Sequence, residues 1–206
     1  MYPSRNIMAN PPTCFDHFMP SDRFINFSNP REILIYTDGS CLNNGQLPPS
    51  AGCAFVYRPF AGPDGVSVRN GGVCFRLETR GPEGANYPQT SNRAELRAVI
   101  AALQFSSWER EGWESLVIAS DSEYVVLGIT QWIQQRERNG WVTSPGRAVM
   151  NRDLWVVLKG ELERYLDRGV RVTFWRIPRE WNFEADQLAR YGAGLQEVEE
   201  FVQLRI

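Results

Sequence analysis

A chain of 206 residues with 43% hydrophobic and 22% charged residues has the make-up of an ordinary globular protein with one well-buried core. Its net charge of −2 excludes attraction to nucleic acid by bulk charge, so any polyanion would have to be met by a local patch. With one His (His17) and four Cys lacking CxxC spacing, the composition argues against a zinc site and against a Ser-His-Asp or Cys-His nucleophile.

Residues 1–30 carry five prolines and no sustained periodicity, which predicts an irregular N-terminal arm with Phe15, Phe18, Phe24 and Phe27 resting on the main body. Ile33 to Tyr36 is a β-branched apolar run that predicts a buried strand, with Asp38-Gly39 as the turn that ends it. Ala51 to Tyr57 and Gly71 to Leu77 are two more strands, separated by Gly62-Pro63-Asp64-Gly65, and the three together suggest an antiparallel meander. Thr79 to Gln89 reads as a loop. The period then becomes helical, with Leu96, Val99, Ile100 and Leu103 on one face and Asn92 as the expected N-cap. Ser115 to Ala119 is a fourth strand, followed by a helix pair from Ser122 to about Gln135. Arg136 to Val149 is a polar protrusion. Leu154, Val157, Leu158, Leu162, Tyr165 and Leu166 form an amphipathic helix closed by Arg168-Gly169. Val170 to Ile177 is the fifth strand, Phe183 to Tyr191 starts the last helix, and Gly192 onward is a tail without a clear pattern. This order predicts one α/β domain over residues 31–192, with a tail at 193–206.

Four acidic residues stand where elements begin or end: Asp38, Glu95, Asp121 and Asp186. Each has a purely structural explanation. Asp38-Gly39 is a turn dipeptide, Asn92-x-x-Glu95 fits a capping box, Asp121 precedes a helix, and Asp186 lies in a first turn, where negative charge is favourable. Taken together they suggest more. Asp38 and Asp121 end two strands that would be neighbours, and Glu95 and Asp186 open helices able to pack across those ends. Carboxylates so gathered repel one another unless hard cations sit between them. A site for two metal ions that cleaves phosphodiesters accounts for all four at once.

Five stretches, in order, resemble the ribonuclease H family, type 1: YTDGSCLNNG, TSNRAELRAVIAAL, SDSEYVVLGITQWI, NGWVTSPGRAVMNRDLW and NFEADQLAR. The resemblance covers about residues 32–191. It implies a five-stranded mixed sheet flanked by helices, made of the three-strand meander plus two parallel strands. It also implies that Asp38, Glu95, Asp121 and Asp186 are the ligands of two Mg²⁺ ions, with Mn²⁺ as a possible substitute. The implied reaction is endonucleolytic hydrolysis of the RNA strand of an RNA–DNA hybrid, leaving 5′-phosphate and 3′-hydroxyl ends. Asn44, Asn92 and the Cys41 backbone match positions in the hybrid groove, where 2′-hydroxyls distinguish RNA from DNA. Asn44 is equally a turn residue, and Asn92 equally a cap.

The protrusion resembles the family's grip on the DNA strand, with Trp141, Arg138 and Arg147 as its contacts. Trp132 and Trp155 sit at helical spacing among apolar residues and are expected in the core. Two departures from the family stand out. The segment FWRIPREWNFEAD lacks the mobile-loop His that many members carry before the last Asp, and Arg179 or Glu180 is expected to compensate. Glu123 stands where members place a neutral group near the RNA, although Ser120-x-x-Glu123 is itself a capping box. Two other readings are retained: a related nuclease with another nucleic-acid substrate, and a hybrid-binding domain with little turnover. A monomer in an intracellular compartment, cytoplasmic or nuclear, is expected from the scattered thiols and the absence of a secretory pattern. A mitochondrial address has weak support, and no run reaches membrane-spanning length.

Overall fold

The computed structural model describes residues 18–20, 23–43, 48–59, 71–143 and 145–204. Its centre is a long strand, β3 (Asn29–Leu42), from which the rest of a mixed sheet grows. The other strands are β1 (Phe18–Pro20), β2 (Phe24–Asn26), β4 (Ser50–Val56), β5 (Gly72–Arg76), β6 (Ser115–Ser120) and β7 (Arg171–Arg176). β2 and β4 run antiparallel to β3 and occupy the same edge in succession, because Leu34 pairs with Phe24 and Tyr36 with Val56. The opposite edge takes β6 in parallel, and β7 follows in parallel with β6. β5 closes the far side as the antiparallel neighbour of β4. The expected five strands are thus β3 to β7.

Helices cover both faces. Side chains alternate across a strand, so Ile33 and Ile35 point to one face and Leu34 and Tyr36 to the other. The first face packs against α1 (Ser91–Phe105), α2 (Glu123–Leu127) and α4 (Arg152–Asp167), forming the larger core with Phe55, Leu116, Ile118, Trp155 and Phe174. The second face meets α5 (Phe183–Ala193), with Val117, Trp175, Ile177 and Ala185 between them. Two buried ion pairs tie α1 to its surroundings: Arg93 forks onto Asp153 of α4 at 2.9 and 2.5 Å, and Arg97 pairs with Glu78 at 2.7 Å. Among the described residues, no helix is long and apolar enough to cross a membrane.

Several local expectations give way. Residues 18–20 and 24–26 are not irregular: they form β1 and β2, and Phe24 packs edge-on against Tyr36 at 5.3 Å, while Phe27 is exposed. Phe15 and the Gly62-Pro63-Asp64-Gly65 segment lie outside the described residues. Asp38-Gly39 is not a turn. Pairing with Ala54 and Cys53 carries β3 through it to Leu42, so a continuous ladder overrides a local turn preference. The cap of α1 is Thr90, two residues before Asn92; Thr90 is extended and its Oγ1 accepts from Arg93 N at 3.3 Å.

After β6, the expected helix pair is one continuous path. α2 passes through a π turn (Gly128–Trp132) into α3 (Ile133–Arg138). A Cβ at Gly128 would overlap the Trp155 ring, so the close helix approach there requires glycine. Ser122, not Ser120, caps α2 through Val125 N, and Glu123 instead pairs with Arg176 at 2.8 Å on the surface. The C-terminal tail is docked rather than free: Thr79 N donates to Val198 O, Arg80 N to Glu199 O, and Arg97 to Val202 O.

Candidate metal centre

The register of the parallel strands sets the site. The last β3–β6 pair is Tyr36 with Ala119, so Asp38 lies two residues further along β3 and Asp121 two residues further, just past the end of β6. Here the parallel ladder runs out and a crevice opens at the carboxyl end of β6. Glu95 arrives from the first turns of α1. That approach needs Gly39, because a Cβ there would overlap the backbone nitrogen of Glu95. One carboxylate oxygen from each of Asp38, Glu95 and Asp121 lies within 4.8 Å of the others.

The electrostatics of this trio are unfavourable without a cation. Burial pushes the Asp38 carboxyl up to about 8, and the charges of Asp121 and Asp186 push the same way. Glu95 is also raised well above the carboxylate range, first by burial and then by Asp38 and Asp121, against the opposing Gly39 backbone and Arg179. Glu95 Oε2 is enclosed and has no hydrogen-bond partner in the structure. An orphaned oxygen beside two more carboxylates fits a hard divalent cation, which takes oxygen ligands.

Asp186, in the first turn of α5, lines the same cavity of about 400 Å³ with Asp38 and Glu95 but stands outside the trio. Its oxygens are held by Arg179 Nη2 at 2.8 Å and Arg190 Nε at 2.8 Å. One residue with a clear task here went unnoticed in the sequence. Asn182 is 1% exposed, and its Nδ2 donates both to Thr37 O at 3.0 Å and to Asp121 Oδ1 at 2.8 Å. It precedes α5 and reads as a cap from sequence, yet it makes no side-chain cap bond.

The remaining expected contacts scatter more widely. Cys41 is half-buried in β3 and lines the cavity, its thiol pushed up by burial. Asn44 lies outside the described residues. Asn92 is exposed on the first turn of α1. Arg138 and Arg147 are exposed, at the end of α3 and in the loop after it. Trp132 and Trp141 are both half-buried, and Trp132 is not in the core, contrary to expectation. Trp141 sits at φ +62° and packs partly buried against the larger core. Trp132 lines a surface groove of about 430 Å³ with Gln131, Gln135 and Asn139, and Arg136 stacks on its ring at 5.0 Å. Trp155 is in the core, as expected. Glu180 lines a separate cavity with Phe24, Tyr36 and Phe183, whereas Arg179 faces the acidic group.

The RNase H family model matches residues 30–193. Ribonuclease H of Treponema pallidum subsp. pallidum is 40% identical over 126 residues, covering 61% of this chain and 70% of that protein. Ribonuclease H1 of Homo sapiens is 33% identical over 165 residues, or 78% of this chain, which spans only 50% of the human protein. In the solution structure of the PFV RNase H domain the same fold recurs, with a TM-score of 0.54 at 20% identity, covering 78% of this chain and 93% of that domain.

Proposed function

The chain belongs to the RNase H family, and from that premise and the gathered carboxylates we propose that it is a metal-dependent endoribonuclease hydrolysing the RNA strand of RNA–DNA hybrids. The observation that carries this reading is the trio itself: three carboxylate oxygens within 4.8 Å of one another, two of them on groups whose charge burial disfavours, with no ion pair to Asp38, Glu95 or Asp121 among the described residues. An arrangement so costly to fold is useful when a cation is meant to occupy it.

Asp38, Glu95, Asp121 and Asp186 would hold two Mg²⁺ ions. When bound, such a pair supplies Lewis acidity for the scissile phosphate, a lowered pKa for the attacking water and charge compensation at the departing 3′ oxygen. The chain's own contribution is pre-organisation. Gly39 lets α1 approach close enough for Glu95 to reach Asp38. Asn182 locks the Asp121 carboxylate by one hydrogen bond while anchored to the β3 backbone by another, so that oxygen does not need to be ordered during turnover. The catalytic domain is taken as residues 31–192. In the groove beside α3, Trp132 and Arg136 offer an aromatic face and a guanidinium suited to sugar and phosphate of the DNA strand.

The test is cleavage of labelled hybrid, double-stranded RNA and single-stranded RNA with Mg²⁺ or Mn²⁺. The reading requires hybrid cleavage alone, lost in Asp38→Asn. Hybrid that is bound but left intact with both metals would instead indicate a binding domain.

A further inference from the structure

We infer that Arg179 is a positioning residue that serves as the internal counter-ion of the acidic site, holding Asp186 away from the trio until a divalent cation claims that carboxylate. The inference rests on the metal-dependent reading above and concerns how much cation is needed to fill the site.

Asp186 is unlike the other three carboxylates. Both of its oxygens engage guanidinium groups, Arg179 at 2.8 Å from Oδ1 and Arg190 at 2.8 Å from Oδ2 with a longer contact of 3.4 Å to Oδ1, whereas Asp38, Glu95 and Asp121 have no ion pair among the described residues. The two arginines are not equivalent. Arg190 lies one turn beyond Asp186 on α5 and makes an i,i+4 pair of a kind common on helix surfaces. Arg179 opens the 3₁₀ turn Arg179–Trp181, and its backbone is fixed on both sides. Ile177 N donates to Ser120 O before it, and Asn182 N donates to Arg179 O after it. One short turn therefore carries Arg179 at its start and, just past its end, Asn182, which grips Asp121.

Arg179 also lines the cavity beside Asp38 and Glu95, and its charge opposes the rise of both carboxyls. The Arg179 side chain is 70% exposed, so its hold on Asp186 is a contact at the cavity mouth with room to open. A single exposed guanidinium is a weak competitor for a carboxylate. A doubly charged cation already bound by three others is a strong one. Arg179 thus compensates part of the site's charge when metal is scarce and raises the metal concentration at which Asp186 joins.

Mn²⁺ titration of the full chain without nucleic acid, by calorimetry or by loss of the free-ion EPR signal, tests this. Arg179→Ala is expected to tighten Mn²⁺ binding by about 3–5-fold, the upper weight of one exposed ion pair. Arg179→Lys should fall between it and wild type, and Arg190→Ala should stay within about 2-fold of wild type. Binding by Arg179→Ala that is unchanged or weaker overturns the inference, and so does an equal effect from Arg190→Ala. Wild-type protein that cleaves hybrid and binds Mn²⁺ while Arg179→Ala binds it identically sinks this inference alone. Wild-type protein that binds no Mn²⁺ sinks the metal-dependent reading with it.

Discussion

Replacing Asp38 by Asn should make the metal-free protein more stable, although Asp38 is central to the proposed site. The carboxyl is pushed from 3.8 in the unfolded reference to about 8 in the fold. A carboxyl raised in this direction contributes most to stability below its unfolded pKa, and that contribution is lost as pH climbs to the folded value. The window is therefore pH 4 to 8. At about 1.4 kcal/mol per unit, the loss by pH 7 reaches about 4 kcal/mol, and the shared titration with Glu95 brings it to about 2–4 kcal/mol. Asp38→Asn removes the charge but keeps the shape. In EDTA at pH 7.5 its Tm should exceed wild type by about 5–15 °C, with a shallower fall between pH 4 and 8. Saturating Mn²⁺ should narrow or reverse the difference, because only wild type gains the full binding free energy, about 2.7 kcal/mol at one hundred times Kd. Thermal unfolding followed by circular dichroism, with and without EDTA, reads all of this. An Asp38→Asn protein no more stable than wild type in EDTA, with the same pH slope, would refute the reasoning.

Asn182→Ala removes both donors from Thr37 O and Asp121; unfolding should show a loss of about 1–3 kcal/mol, and metal titration an affinity about 10–100-fold weaker. Gly39→Ala should be harsher than any surface change, since its Cβ overlaps the backbone of α1 at Glu95; the expected result is lost hybrid cleavage with a Tm drop, measured side by side. Arg93→Ala leaves Asp153 buried without its partner and should cost about 3–5 kcal/mol in denaturant unfolding, whereas Glu123→Gln, on the surface, should stay within about 0.5 kcal/mol. Trp132→Ala should weaken hybrid binding more than Trp141→Phe in an electrophoretic mobility assay, since only Trp132 lines the groove.

Much of this site is legible in the chain because strands impose a period of two. Ile33 to Tyr36 and Ser115 to Ala119 are unmistakable apolar runs, and the acids after them fall at the ends of neighbouring strands. Contests between local and long-range bonding are harder to read. Asp38-Gly39 has turn chemistry, but the ladder to β4 supplies more hydrogen bonds than a turn would. Thr90 and Asn92 are both capable caps, and the choice falls to where the loop from β5 enters α1. Trp132 departs from its expected place for a geometric reason. A π turn inserts a residue into the helix and rotates the subsequent side chains by roughly 100°, so Trp132 leaves the apolar face that its spacing suggests. Asn182 escapes notice because an Asn ahead of a helix has an ordinary explanation.

The most direct test of the proposed metal centre is the anomalous scattering of Mn²⁺ soaked into crystals of the wild-type chain. Cation density coordinated by Asp38, Glu95 and Asp121 is expected, with Asp186 turned toward it and Arg179 released. Density absent from that crevice at millimolar Mn²⁺, with the carboxylates unmoved, would contradict it.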